Sequence, residues 1–193
     1  GWGVVRVIIA IIVLVIIVVL VILAVVGFNK LRQADVSAQE ALGGIDVQLT
    51  RRADLVPNLV ETVKGYAKHE SGVFEAVTEA RAQVNKAAAS GTVDEKASAE
   101  AALDKSLINV MAVAEQYPDL KASQNFLQLQ GQLTDTENQL AFARQYYNDA
   151  VAKLNTLIVT LPWLLFNGLA KVSKREFYKA PEGQATPPQV SFS

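Results

Sequence analysis

Two stretches gather the polar side chains that could do chemistry. IDVQLTRRADLVPNLV carries Asp46, Gln48, Arg51, Arg52, Asp54 and Asn58, and TDTENQLAFARQYYN carries Asp135, Glu137, Asn138, Arg144, Tyr147 and Asn148. Carboxylates set beside guanidinium groups can pair, or can serve as an acid or base if a nucleophile or a metal accompanies them. Neither stretch supplies such company, so pairing between helices is the favoured reading. His69-Glu70 in GYAKHESGVF invites a metal or acid-base role. A zinc-type site needs three or four ligands, however, and the chain has one His and no Cys. A surface or helix-interface histidine is expected. Gly65, Gly72 and Gly131 lack the G-x-G-x-x-G and G-K-[ST] contexts that cradle phosphates. No cofactor and no metal follow from this inventory. Of the adjacent Tyr146 and Tyr147, only one can face a core, and Tyr147 fits the apolar spacing.

The elements that must carry these residues are helices. Apolar positions recur at 31, 34/35, 38, 42, 45 and 49, then 56, 59, 63 and 66, then 74, 77, 80/81 and 84. Alternating threes and fours mark a helix with one buried seam. The pattern predicts one long helix to about Asn85, kinked at Pro57, which lacks a backbone donor. Thr92 and Glu95 form a capping-box signature that opens a second helix from about Val93 to Gln116. A third is expected from about Leu120 to Leu161, with Phe126, Leu129, Leu133, Leu140, Tyr147, Val151, Leu154 and Ile158 on its seam. Extending the first seam past Leu49 reaches Arg52 or Ala53, and the third reaches Thr136 or Glu137 between Leu133 and Leu140. Antiparallel packing would then bring Arg52 and Glu137 together as a buried pair that fixes register. WLLFNGLAKVSKREFY is read as one or two short helices, and PEGQATPPQVSFS as an extended Pro-rich tail.

Val7 to Val26 are twenty residues without a polar side-chain atom, flanked by Arg6 and by Lys30 and Arg32. Twenty residues of helix rise about 30 Å, the thickness of a bilayer's hydrocarbon core. A signal peptide has a shorter apolar region and a small-residue cleavage site, so an uncleaved single-pass anchor is favoured. Basic residues are balanced across the span and assign no side to the rest of the chain. A formal charge of −1 over 193 residues argues against nucleic acid as a partner. The expected class is all-α: an anchor at 1–28, a helical bundle at 29–162, a short helical segment at 163–180 and the tail at 181–193.

FNKLR after the span, the stretch from Ile45 to Arg81, YPDLKASQNFLQLQGQLTDTENQLAFARQYYNDAVAKLN from Tyr117, and FYKA at Phe177 together resemble the LemA family. The resemblance implies a bacterial membrane-anchored helical bundle of the inner membrane, without an established enzymatic activity. The family usually has an aromatic where this chain has Gly43 or Gly44, and the doubled glycine suggests either a hinge or close helix packing. Two functions compete. One is a scaffold that self-associates in the bilayer. The other is a signalling or ligand-binding module, with another envelope protein as its expected partner and a pocket near Asp54, Asn58 and Asn138. An enzyme and a pore are disfavoured by the residue inventory and by the single apolar span.

Overall fold

The structure, a computed structural model, describes residues 1–180; the Pro-rich tail expected at 181–193 lies outside the described residues. Seven α-helices and one 3-10 turn account for the regular structure among the described residues, with no strand. In chain order they are α1 (Trp2–Asp54), α2 (Val56–Lys64), α3 (Ser71–Ser90), α4 (Val93–Glu115), α5 (Pro118–Lys121), α6 (Gln124–Val159), the 3-10 turn Trp163–Phe166, and α7 (Asn167–Ala170). The helix expected to run to Asn85 is interrupted twice. The first interruption is the single residue Leu55. Pro57 has no N–H to give the carbonyl of Ala53 four residues back, and Arg81 Nε of α3 donates to that oxygen instead, at 3.2 Å.

The second interruption, Gly65–Glu70, is a set of turns. Its cause is the polar run Lys68, His69, Glu70, Ser71 and Gly72, five consecutive residues that offer a helix nothing to bury. Ala67 is buried and Tyr66 is 44% exposed, the reverse of the expected seam. The second helix starts where its cap requires, since Thr92 Oγ1 accepts from the Glu95 N–H at 3.2 Å. Gly91 before it allows a close turn: a Cβ there would stand 2.8 Å from the Ala87 carbonyl oxygen. The two-residue link makes α3 and α4 antiparallel neighbours. The third expected helix is α5 followed by α6, and the segment read as helical at 163–180 is helical only to Ala170. Lys171, at φ 53°, ends α7 in the left-handed region, and the chain then runs without regular structure to Ala180.

The chain divides into two compact units. The smaller comprises Gly1–Gln39 and Asp149–Arg175. Its core is Leu31, Ala34, Leu154, Leu157, Ile158 and Ala170, with Trp163, Phe166 and Val172 packed on it. Here the end of α6 runs antiparallel to α1: Asn155 holds Arg175, which meets Asp35 at 2.9 Å, while Ile158, further along α6, accepts from Asn167 beside the Phe166 ring that lies on Gly27. The apolar run Val7–Val26 buries almost nothing against protein, and α1 is the one described helix long and apolar enough to cross a membrane by itself. The larger unit comprises Glu40–Asn148 and Glu176–Ser193, described as far as Ala180. The α6 seam from Phe126 to Tyr147 lies in its core, together with Ile45, Leu49, Leu59, Val63, Phe74, Leu103 and Leu120.

α1 continues unbroken through Gly43 and Gly44, and a Cβ at either position would meet open space. Close packing is therefore not what the glycines serve. Each costs the helix roughly 0.5–1 kcal/mol relative to Ala. The double variant G43A/G44A should gain about 1–2 kcal/mol, read as a higher denaturant midpoint of the detergent-solubilised chain.

Candidate functional site

The polar residues of the larger unit meet along α4. Lys96, Glu100 and Asp104 recur every fourth residue and so share one face with Ala99, Leu103 and Leu107. Lys96 Nζ reaches Asp46 at 2.6 Å and donates to the carbonyls of Ala87 and Ala88 at 3.1 and 3.3 Å. It thereby adds a donor to carbonyls in the last turn of α3, of which that of Ala87 also accepts from the Gly91 N–H at 2.8 Å, at the end where a cation is favoured.

One turn along α4, Glu100 is 1% exposed and pairs with Arg144 of α6. The Tyr178 hydroxyl donates to its other oxygen at 2.6 Å. Burial pushes the Glu100 carboxyl above its ordinary value, against Arg144 and the Tyr178 hydrogen bond, which pull it down. Burial and the negative charge of Glu100 together hold the Tyr178 hydroxyl far above its ordinary value, so it stays a donor. Tyr178 is held in place by Asn148, whose amide accepts from the Tyr178 N–H at 2.8 Å and donates to its carbonyl at 3.0 Å. Tyr147 adds a hydrogen bond to the Glu176 carbonyl at 2.9 Å.

Arg52 of α1 lies against the next turn. Its Nε donates to Asp104 at 3.0 Å, and its Nη1 to the Leu133 carbonyl at 2.8 Å and the Thr136 hydroxyl at 2.9 Å. The carboxylate that meets Arg52 is thus Asp104, and the seam position on α6 is filled by Thr136, while Glu137 is exposed. Desolvation raises the Asp104 carboxyl, opposed by Arg52 and reinforced by the negative charge of Glu137.

The other residues singled out in the sequence lie elsewhere. Arg51 pairs with Asp135 at 3.3 Å on the surface, and Asp54, Asn58, Asn138 and His69 are exposed. An open cleft of about 500 Å³ is lined by Asn58, Glu61, Thr62, Asn125, Gln128, Leu129 and Gln132. It includes Asn58 and neither Asp54 nor Asn138. Among the described residues no group of three His, Cys, Asp or Glu is placed to hold a metal ion. The sequence reading missed Lys96, Glu100, Asp104 and Tyr178. The signal for the first three was their spacing of four, on a helix so rich in alanine that its seam is hard to trace. For Tyr178 the one signal was its place in FYKA, which resembles a family element but says nothing of a partner.

What this arrangement can do chemically is hold helices in register. Its ionic groups are engaged with one another, and Asp104 also borders an open cleft of about 830 Å³ that Lys105, Ile108 and Lys179 help to line.

A model of the LemA family matches residues 41–192. The chain is 24% identical over 172 residues to magnetosome protein MamQ of Magnetospirillum gryphiswaldense, covering 76% of this chain and 62% of that protein. It is 21% identical over 183 residues to magnetosome protein MamQ 2 of Paramagnetospirillum magneticum, covering 83% and 67%. The chain therefore spans about two thirds or less of these relatives' length.

Two measurements follow from the paired charges. R52A strands Asp104 and should cost about 3–5 kcal/mol, whereas R52M/D104L, which removes both charges at similar volume, should recover most of the loss. Denaturant titration of the three proteins checks this. Glu100 and Asp104 keep their protons to higher pH in the folded chain than in the unfolded one. Their titration therefore contributes stability that is complete below the ordinary carboxyl values and is lost as pH rises through the folded ones. In melts from about pH 4 to 7, the Tm of the parent should fall relative to that of E100Q/D104N as pH rises.

Proposed function

Because the chain belongs to the LemA family, whose members and MamQ relatives are not known enzymes, we propose that it is a non-enzymatic helical scaffold of the bacterial inner membrane that self-associates into a larger assembly. The observation that carries this reading is a pair of aromatic side chains one turn apart on α6. Phe142 is 73% exposed and Tyr146 is 68% exposed. Residues four apart lie side by side on a helix, so the two rings form one apolar patch. Aromatic residues are enriched at protein interfaces, and on a second copy of this chain the same patch would be available to complete a symmetric contact. The apolar span supplies the anchor.

A ligand-binding or signalling module is the second reading, favoured by the cleft at Asn58 and Gln128. Ligand pockets are mostly apolar, and of the residues lining this cleft only Leu129 is apolar. The cleft is also open, so the scaffold reading leads.

Light scattering of the detergent-solubilised chain discriminates. The parent should have the mass of several copies, and F142K/Y146K that of one, with stability changed by no more than about 0.5 kcal/mol because both sites are on the surface. A parent that is monomeric at every concentration sinks the scaffold reading and returns attention to the cleft.

A further inference from the structure

The smaller unit carries an apolar turn beside the end of the span. TLPWLLFNGLA, from Thr160 to Ala170, contains no charged residue, and Lys171 follows it. The turn has two sides. Trp163, Phe166 and Ala170 face inward onto the core of Leu31, Ala34, Leu154 and Ile158. Leu161, Leu164, Leu165 and Leu169 face outward and are 71%, 44%, 72% and 59% exposed. Four leucines turned outward within nine residues are far more than scattered surface apolarity explains.

The position of the turn says what covers them. The Phe166 ring lies against Gly27, the residue after the apolar run ends at Val26, so closely that a Cβ on Gly27 would overlap the ring. One turn further along α1, the Lys30 ammonium sits 4.4 Å from the centroid of the Trp163 ring. A tryptophan and a lysine together at the end of a span are the chemistry of the membrane-water boundary, where the ring bridges apolar and polar layers and the ammonium reaches the headgroups. Lys171 and Lys174, both exposed, add cations next to the apolar turn.

We propose that Leu161–Leu169 is a second, monotopic lipid contact, with Leu161, Leu164, Leu165 and Leu169 inserted among the acyl chains of the leaflet from which the span emerges. The outward leucines are then continuous with the lipid-facing surface of α1, and the chain holds the membrane at two points of one unit. This assignment rests on α1 crossing the bilayer and is independent of self-association.

The chain has no cysteine, so single-cysteine variants carry one label each. L161C and L165C replace exposed side chains and leave the packed side of the turn intact. L14C, in the middle of the span, and A152C, exposed on α6 two turns before its end, serve as references. Each full-length variant is spin-labelled in vesicles of phosphatidylcholine and phosphatidylglycerol, and collisions with oxygen and with a water-soluble nickel chelate are compared. Labels at 161 and 165 should favour oxygen several-fold over the label at 152, at a depth of about 5–10 Å, shallower than the label at 14. Nickel access at 161 and 165 equal to that at 152, with 14 still embedded, would place the leucines in water and overturn the proposal. Shielding from both reagents would mean that protein covers them, which also overturns it. Nickel access at 14 would instead refute the span itself.

Discussion

An alanine- and leucine-rich helix can slide along a neighbour with little change in apolar contact, and in the larger unit that freedom is removed by the Arg52 guanidinium. Its donors reach Asp104 on α4 and both the Leu133 carbonyl and the Thr136 hydroxyl on α6. Shifting any of the three helices by one residue breaks a charge-assisted hydrogen bond in a site shielded from water. Such a group adds little net stability over a well-packed apolar substitute. What it supplies is a single register, and the Glu100–Arg144 and Lys96–Asp46 pairs repeat the constraint at other turns of α4.

The same logic explains how much of the architecture was legible. The seam residues from Phe126 to Ile158 could be picked out because spacing alone determines which side chains of a helix share a face, and all eight are buried. Arg52 could be flagged for the same reason, as a charge on a seam position. Its partner could not, because pairing depends on which helices are neighbours and at what height, and periodicity carries neither. Glu137 and Thr136 sit on adjacent turn positions, and a rotation of about 100° between consecutive residues separates the buried one from the exposed one. A seam read to within one residue cannot choose between them.

The contacts of Tyr178 were illegible for a different reason. Its stretch of chain has no partner strand, and an unpaired extended backbone would leave its N–H and carbonyl unsatisfied when buried. The Asn148 amide satisfies both at once. In the smaller unit Asn155 treats Arg175 alike, accepting from its N–H at 2.9 Å and donating to its carbonyl at 3.0 Å. Arg81 does related work at the proline break, giving the Ala53 carbonyl the donor that Pro57 lacks. In each case a side chain distant in sequence replaces a backbone partner, and no local pattern announces it.

Within the smaller unit α1 changes its demand on its surroundings at Gly27. Before it, the helix is apolar on every face and exposes that surface, a composition that water does not tolerate but hydrocarbon does. After it, Leu31 and Ala34 form one buried face, with Lys30 exposed and Arg32 half-buried beside them. The absence of a side chain at Gly27 lets the Phe166 ring approach the helix axis at that changeover. A helix meant only as a tether would need no such contact. Gly27 brings the apolar turn to the height at which the surroundings of α1 change from lipid to water, which is where outward leucines beside a tryptophan and lysines are stable.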